Sequence, residues 1–393
     1  MIHLLKTSAI NLPLHGGHAP SYLVRRMIKL SSSISKVIID EYGQQEFLRR
    51  LSDPLWFQAF GCVLGFDWHS SGVTTVVTGV LKQSLKENVH GISICGGKGK
   101  QSTATKTDIP KLAEKNYNLS SIKINNLIYA SKMAAKVDNA AIQDGYSLYH
   151  HIILFDEQGN WAIVQQGMNP ANKMARRYHW ISDSTENFVC DPHTGIISEY
   201  KTPDTLNMTA IESKDNQKVC VDIATGDVNN LKSSVYKLKT GERNTLDCYI
   251  IENNGQDKKI YNNSMINHYQ MPRKLDWDVF KNIYDIKPQN YEQLISIPGV
   301  GPATVRALSL IGELIYGTKA SWQDPVKYNF AHGGKDGVPY PVARKIYDKS
   351  ITFLSSAIEG AEIEKDERIQ ALKKLANYSK TIFNNNNNSN PIN

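Results

Sequence analysis

Apolar residues recur at two different spacings along the chain, and the spacing separates predicted helices from predicted strands. The run Leu23–Ile38 carries apolar residues one helical turn apart, and Gly43 is a suitable residue to end that helical stretch. Further helices are predicted over Val73–Leu85 and Asn125–Ala141, where small and apolar residues again keep helical spacing. These patterns predict a largely helical first third of the chain.

A β-hairpin follows these helices. Strand-forming arms at Leu148–Phe155 and Trp161–Gln166 enclose the turn-forming segment Asp156–Asn160. Adjacent residues of a strand point to opposite faces, so His150 and His151 cannot both bind one metal ion. The sequence therefore predicts that at most one of these two histidines is functional.

A glycine-rich segment with two lysines comes directly after a predicted strand. The strand is Gly91–Cys95 and the loop is Gly96-Gly97-Lys98-Gly99-Lys100. Such a loop can cradle an anion, because its backbone N–H groups are accessible and its lysines are positive. It lacks the first glycine of a Walker loop, and Gln101 replaces the required Ser or Thr, so nucleotide hydrolysis is not expected. We predict that Lys98 and Lys100 contact a nucleic-acid backbone; a flexible basic turn is the alternative.

A tight bend between two helical stretches lies within 291–317. Apolar residues keep helical spacing on both sides of the segment Ile297–Thr304. A proline ends the first helix, Gly299 and Gly301 permit positive φ, and Val300 can pack back into the core. The second helix then begins with N–H groups that have no acceptor, and such an end can bind phosphate without a side chain. An ordinary corner between two helices is the alternative.

This bend resembles the helix-hairpin-helix motif, which grips the DNA backbone without reading its sequence. The resemblance rests on the Ile-Pro-Gly-Val-Gly core, the helix on each side and the apolar stripe of helix length. It implies that the DNA backbone is bound by Gly299, Val300, Gly301, Ala303 and Thr304.

The segment after the hairpin resembles the helix-hairpin-helix/Gly-Pro-Asp DNA glycosylase superfamily. In that superfamily an aspartate faces the flipped nucleotide, so the resemblance implies that Asp324 is catalytic. An aspartate that caps a helix before a proline is the alternative explanation. Bifunctional members carry a Schiff-base lysine after the second glycine, where this chain has Pro302-Ala303, which puts lyase chemistry by that route in doubt. Lysines that could substitute are Lys319, Lys327 and Lys335.

The chain also resembles, over most of its length, a domain-of-unknown-function family numbered seven-six-three and best represented in archaea. Such a family supplies a name and no chemistry. The segments that carry the resemblance are Gly16–Pro20, Asp53–Thr75, Cys95–Lys100, Asp138–His151, Val164–Asn169, Ala175–Trp180 and Ile297–Arg344.

Composition and charge narrow the environment and the partner. Lys and Arg number 45 against 38 Asp and Glu, which gives a net charge of +7 and suits a polyanionic partner. No run of about 18 apolar residues occurs, so neither a membrane span nor a signal peptide is expected. The five cysteines are scattered without a Cys-x-x-Cys pair, which favours a reducing cytoplasm.

A basic segment with interleaved aromatic residues follows the β-hairpin. Arg176 and Arg177 lie beside Tyr178 and Trp180, a pattern found where proteins bind nucleic-acid strands. We predict that both arginines contact the DNA backbone, although an amphipathic surface segment fits the pattern as well.

A second candidate site is predicted from acidic and imidazole side chains in the first half of the chain. Oxygen ligands that converge from separate segments would suit Mg²⁺ in a nuclease. The candidate residues are Asp67, His69, Asp138, Asp144 and His151.

Together these patterns predict an α+β protein with four parts. We predict a mixed α+β domain over 1–200, a polar connector with short strands over 201–265, and an all-α helix-hairpin-helix domain over 266–382. The Asn-rich tail 383–393 is predicted to be disordered.

The expected function is binding of double-stranded, damaged or branched DNA in DNA repair, and the specific hypothesis is a base-excision glycosylase. The alternatives are a metal-dependent nuclease seated in the first domain and a non-catalytic DNA-binding module. No metal site and no cofactor are expected, with Mg²⁺ entering only under the nuclease alternative. The pattern gives no oligomeric state.

Overall fold

The computed structural model of the chain describes residues 21–65, 71–198, 201–240, 269–326, 328–329 and 344–387. Helices in these ranges are α1 (Ser21–Ser52), α2 (Pro54–Leu64), α3 (Ser71–Ser84), α4 (Glu87–His90), α5 (Thr105–Tyr117), α6 (Ser121–Lys136), α7 (Lys214–Thr225), α8 (Val228–Thr240), α9 (Trp277–Ile286), α10 (Tyr291–Ser296), α11 (Pro302–Leu314), α12 (Arg344–Gly360) and α13 (Lys365–Asn387). Strands are β1 (Ile92–Lys98), β2 (Ile142–Gln143), β3 (Ser147–Asp156), β4 (Trp161–Asn169), β5 (Met174–Ile181), β6 (Gly195–Ser198), β7 (Leu206–Asn207) and β8 (Tyr328–Asn329).

One six-stranded sheet organises these elements. Its strand order is β1-β3-β4-β5-β6-β8, and neighbouring strands are antiparallel except for the parallel pair β6 and β8. The register places Lys98 opposite His150, His150 opposite Gln166, and Gln166 opposite Arg177. Side chains in one such row share a face of the sheet.

The two faces of the sheet are covered by different helices. Ile152 and Leu154 belong to an apolar cluster with α1, α2, α3, α12 and α13, and we call this side the α1 face. Ile153 and Phe155 alternate with them and belong to a second cluster with α5 to α11, which we call the α6 face. Side chains that alternate along β3 therefore belong to two separate hydrophobic cores, one on each face of the sheet.

Several predicted elements are confirmed. The mixed α+β class holds, and β3, β4, α3 and α6 cover the strands and helices predicted from spacing. Gly43 has a φ of 85° inside α1 and kinks that helix where a helix end was predicted. Asp53 caps the next helix, because its carboxylate accepts from the amides of Leu55 and Trp56.

The structure corrects two expectations about the polar parts of the chain. The segment 201–265, predicted as a connector with short strands, contains the short strand β7 as predicted, and its described residues also form helices α7 and α8. The helix α13 continues to Asn387, within the tail 383–393 predicted to be disordered. Residues 388–393 lie outside the described part of the chain.

The predicted boundary before residue 266 does not divide the hydrophobic core. Buried residues of α9, α10 and α11 join buried residues of β3, β4 and α6 in the single cluster of the α6 face. Helices α12 and α13 pack on the opposite face, against α1 and α2. The helices predicted as one C-terminal domain therefore lie on both faces of the sheet.

None of the helices in the described ranges combines the length and the apolar composition that crossing a bilayer requires.

Candidate functional site

The predicted tight bend is present between α10 and α11. Asn290 caps α10 through a bond from the amide of Gln293, and the chain then turns so that Pro302 opens α11. Gly299 takes a φ of 88°, whereas Gly301 is extended with a φ of −138°. Gly299 thus adopts the positive φ that a glycine permits, whereas Gly301 does not. Val300 is 1% exposed and packs into the core of the α6 face as predicted.

The hairpin presents backbone amides at the start of α11. The first N–H of the helix that reaches a carbonyl is that of Val305, which donates to Gly301 at 3.0 Å. Pro302 has no N–H, and no described residue accepts a hydrogen bond from the amides of Gly299, Gly301, Ala303 or Thr304. Such amides carry the partial positive charge of the helix N-terminus.

Two of the predicted backbone-binding residues differ from the expectation. The amide of Val300 donates to the carbonyl of Ile297 at 3.2 Å, so it is already bonded within the protein. Thr304 is 4% exposed, so it is buried although its amide has no acceptor among the described residues. Gly299 and Ala303 are exposed, which leaves the outer side of the bend open to solvent.

Side chains from the sheet side of the molecule hold the hairpin in place. Lys136 donates from Nζ to the carbonyls of Ile297 at 3.2 Å and Val300 at 2.6 Å. Burial, and then the nearby Lys132, lower the pKa of Lys136. These contacts fix the bend before any ligand arrives, and they add positive charge beneath it.

A glutamine completes the support of the bend. Gln143 donates from Nε2 to the carbonyl of Pro302 at 2.9 Å and accepts from Arg306 at 3.0 Å. Sequence reasoning missed Lys136 and Gln143. In these contacts Lys136 is separated from Ile297 by 161 positions along the chain, and Gln143 from Pro302 by 159 positions. No local sequence pattern could therefore have identified them.

Asp324, the predicted catalytic residue, forms a buried ion pair. Its oxygens accept from Arg176 Nη2 at 2.7 Å and Nη1 at 3.0 Å, and from the amides of Thr202 and Val326 at 2.5 and 3.1 Å. Its side chain is 2% exposed, and Arg176 is completely buried. No described helix begins at Asp324, contrary to the expected N-cap; the chain continues instead into strand β8. Catalysis at Asp324 stays a prediction.

The other partner of Arg176 is Asp144, at 2.8 Å, which also accepts from the Tyr178 hydroxyl at 2.6 Å. Burial raises the pKa of Asp144, and the guanidinium opposes that rise. Burial alone would lower the pKa of Arg176, but Asp144 and Asp324 raise it. The three charges form one buried cluster on the α6 face.

Asp138 lies in a different buried network on the same face. Its oxygens accept from His193 Nε2 at 2.5 Å, Gln165 Nε2 at 2.5 Å and Trp180 Nε1 at 3.1 Å. Gln165 in turn bonds His151 Nδ1 at 2.8 Å. Burial raises the pKa of Asp138, while these three donors oppose the rise. The network joins two predicted site residues, Asp138 and His151, through a glutamine that sequence reasoning missed.

The predicted nuclease ligands are therefore only partly brought together. Asp138 and Asp144 each have their own buried partners, and Asp67 and His69 lie outside the described residues. Among the residues that the structure describes, no group of three or more His, Cys, Asp or Glu side chains could hold a metal ion.

Arg176 and Arg177 were predicted to contact a DNA backbone, and the structure corrects this. Both are completely buried on the central strand β5, one on each face of the sheet. Arg177 bonds neutral partners on the α1 face, among them His179 Nε2 at 2.8 Å and Thr74 Oγ1 at 3.3 Å. Burial lowers its pKa to about 9. A buried strand cannot serve as the predicted surface stripe.

Lys98 and Lys100 are exposed at the end of β1, as an anion-binding loop requires. Gly96 and Gly97 have φ of 92° and 151°, and a Cβ on Gly96 would lie 2.2 Å from the carbonyl oxygen of His151. The strand can therefore pass this point only with a glycine.

The sequence model of the family described as "Protein of unknown function (DUF763)" matches residues 8–342. The chain belongs to the DUF763 family. No curated protein and no solved structure matches the chain. The family match spans the sheet, the buried networks and the hairpin, so the DUF763 region includes every candidate site described above.

Proposed function

We propose that this DUF763 protein binds the DNA backbone through the bend between α10 and α11, and that it acts in DNA repair. The proposal rests on the N–H groups of Gly299, Gly301 and Ala303. No described residue accepts a hydrogen bond from them. A helix start with unbonded amides and a rigid support suits a phosphate oxygen. The backbone of every DNA strand offers such oxygens regardless of sequence.

Positive charge near the bend supports the same conclusion. Lys132, Lys136 and Arg306 lie on the elements that touch the hairpin, and Lys132 is exposed. Long-range attraction between such a surface and a polyanion speeds encounter and weakens with salt. The net charge of +7 acts in the same direction.

Substitution of Gly301 tests the proposal directly, because there is open space for a side chain at this position. A Cβ built there would meet its nearest neighbour, the carbonyl oxygen of Gly299, at 3.9 Å, and its φ suits any residue. Gly301 is also the N-cap of α11, a position where aspartate and asparagine are both favourable. Gly301→Asp and Gly301→Asn should therefore fold at least as stably as the wild type.

The two variants should differ in DNA binding. A carboxylate about 4 to 6 Å from a phosphate costs between about 1 kcal/mol at the dielectric of bulk water and about 3–4 kcal/mol at the effective dielectric of a protein surface. We expect Gly301→Asp to weaken binding of a labelled duplex roughly 5- to 100-fold relative to Gly301→Asn, measured by fluorescence anisotropy. Equal affinity of the two variants and the wild type would remove the hairpin from the DNA interface.

The chemical step, if one exists, is tested separately from binding. Under the base-excision hypothesis, Asp324→Asn abolishes release of damaged bases while duplex affinity is retained. In the described structure both oxygens of Asp324 are bonded to Arg176 and to backbone amides. The DNA-binding proposal therefore uses the amides of the bend and does not depend on Asp324.

A further inference from the structure

A second open site lies on the other face of the sheet, between α3 and the edge strand β1. It is a cleft of about 280 Å³, at the small end of ligand pockets. Its walls include Thr78, Gly79 and Lys82 from α3, Lys98 from β1 and His150 from β3. It lies apart from the hairpin, which packs on the α6 face.

Gly79 shows that the helix leaves room at this point. A glycine inside a helix is less favourable than an alanine, so its presence calls for a reason in packing or in function. A Cβ built on Gly79 would have no heavy atom within 4 Å. Packing within the described protein therefore does not require the glycine, whereas a ligand in the cleft would.

His150 contributes a hydrogen-bond acceptor that has no partner among the residues that the structure describes. Its Nε2 lies 3.0 Å from the Thr78 hydroxyl, and that hydroxyl donates to the carbonyl of Thr74 at 2.7 Å. The hydroxyl must then accept from His150, which places the proton on Nε2 and leaves Nδ1 as an acceptor. Nδ1 is buried without a bond, and the residue is 2% exposed. Such a group normally has a partner.

The charge of the cleft is positive. Lys82 and Lys98 line it, and none of the residues that line it is acidic. Lys82 is held in place by its bond from Nζ to the carbonyl of Gly96 at 2.8 Å. Arg177, two strands further along the same face, has no carboxylate among its bonded partners in the described residues. An anion is therefore the suitable ligand for the mouth of the cleft.

We propose that the cleft binds a phosphate monoester that carries a neighbouring hydroxyl group. The phosphate lies between Lys82 and Lys98, and the hydroxyl donates to Nδ1 of His150. Gly79 provides the space for the carbon atoms between these two groups. Free sugar phosphates and the 5′-phosphorylated end of an RNA strand, whose terminal ribose keeps a 2′-hydroxyl, share this chemistry.

Isothermal titration calorimetry of the full chain tests the site with ribose 5-phosphate, inorganic phosphate, ribose and gluconate. We expect ribose 5-phosphate to bind at least tenfold more tightly than inorganic phosphate, and ribose and gluconate to bind more weakly than either. Gluconate binding as tightly as ribose 5-phosphate would overturn the assignment of a phosphate.

Substitutions at two positions test separately the space at Gly79 and the hydrogen-bond acceptor of His150. Gly79→Leu fills the cleft and should reduce affinity for ribose 5-phosphate at least tenfold, while Gly79→Ala raises Tm and reduces affinity less. His150→Gln keeps a donor near Thr78 and removes the acceptor at Nδ1. It should lower affinity for ribose 5-phosphate to that for inorganic phosphate, which itself stays unchanged. Wild-type affinity in a folded Gly79→Leu protein refutes the proposal.

The two sources of the phosphate are distinguished in the Gly301→Asp background, where binding through the hairpin is weakened. There a 5′-phosphorylated oligoribonucleotide is compared with the same oligoribonucleotide ending in a 5′-hydroxyl. A preference for the phosphorylated end that Gly79→Leu removes identifies a strand end as a ligand. Equal binding of both oligonucleotides, with ribose 5-phosphate still bound, identifies a small molecule. Loss of ribose 5-phosphate binding on Lys98→Gln supports either source, and unchanged binding contradicts both.

Discussion

Two adjacent arginines on β5 should respond in opposite ways to the same substitution. Arg176 and Arg177 are both completely buried, and they point to opposite faces of the sheet. Arg176 has two carboxylate partners, whereas the hydrogen bonds of Arg177 to described residues all go to neutral groups. Replacing each by methionine, which has a similar length and no charge, compares a paired buried cation with an unpaired one.

The Arg176→Met substitution leaves two carboxylates buried without a cation. The side chains of Asp144 and Asp324 are 1% and 2% exposed. Removing one partner of a buried ion pair typically costs about 3–5 kcal/mol. Asp144, whose pKa is already raised by burial, can escape the penalty by taking up a proton. We therefore expect Arg176→Met to lose about 3–5 kcal/mol at pH 8 and less at pH 5.

The Arg177→Met substitution removes a buried charge to which no opposite charge is bonded in the described part of the chain. The loss leaves His179 Nε2 without its donor, which costs about 1–3 kcal/mol. The burial of a cation costs several kcal/mol, and its removal offsets that loss. The direction of the pKa shift of Arg177, downwards because of burial, agrees that the charged form is disfavoured. We expect a net change within about 1–2 kcal/mol of the wild type.

Urea unfolding followed by tryptophan fluorescence measures both variants, since Trp56 and Trp180 are buried and report loss of the two cores. Comparison at pH 8 and pH 5 separates the charge effect from the loss of volume. The reasoning is refuted if Arg177→Met is destabilised as much as Arg176→Met, or if the loss in Arg176→Met does not depend on pH.

Three further predictions follow from buried or strained groups. Asp324→Asn should lower the free energy of unfolding by about 1–3 kcal/mol, because Arg176 keeps Asp144 and loses one charged acceptor; an unchanged urea midpoint would contradict this. Burial lowers the pKa of His150 to about 3 and of His151 to about 4, and moves the pKa of His179 well below 6.5. Below about pH 6.5 the unfolded chain therefore binds protons at these histidines, whereas the folded chain does not. The free energy of unfolding should be highest above pH 6.5 and fall towards pH 4. The slope should approach about 4 kcal/mol per pH unit, and a flat profile in urea melts across this window argues against it. Gly79→Ala should raise the free energy of unfolding by about 1 kcal/mol, as checked by differential scanning calorimetry; a lower Tm would show that the space is needed for folding.

Local chemistry made parts of the fold predictable. The positive φ at Gly299 and the strand-forming arms of the β3–β4 hairpin are marked by the types of neighbouring residues, whereas the contacts of Lys136 and Gln143 that hold the bend are not. The helices α7 and α8 were missed for a different reason. Buried Cys220, Val221 and Ala224 stand at helical spacing, but the polar residues between them had suggested a connector. The signal was present in the spacing and was obscured by the composition.

The interior position of β5 could not be predicted from its own residues. Arginine and histidine on a strand usually indicate a surface, and alternation shows no apolar face here. Arg176 is buried because Asp144 and Asp324, at separations of 32 and 148 positions, reach it in the fold. The same applies to Asp138 and His193, which meet only through tertiary structure. Contacts between residues so far apart along the chain produce no local sequence pattern from which they could be predicted.

The shared apolar cluster of the α6 face limits how the hairpin can be moved between proteins. Val279, Ile295 and Val305 of the hairpin region pack in the same cluster as Ile153 and Phe155 of the sheet. A fragment that begins at residue 269 would expose these side chains to water and would be prone to aggregate. Grafting the bend onto another scaffold would fail for the same reason. The amides of the bend can bind a ligand only while the helices of the hairpin are packed against the sheet.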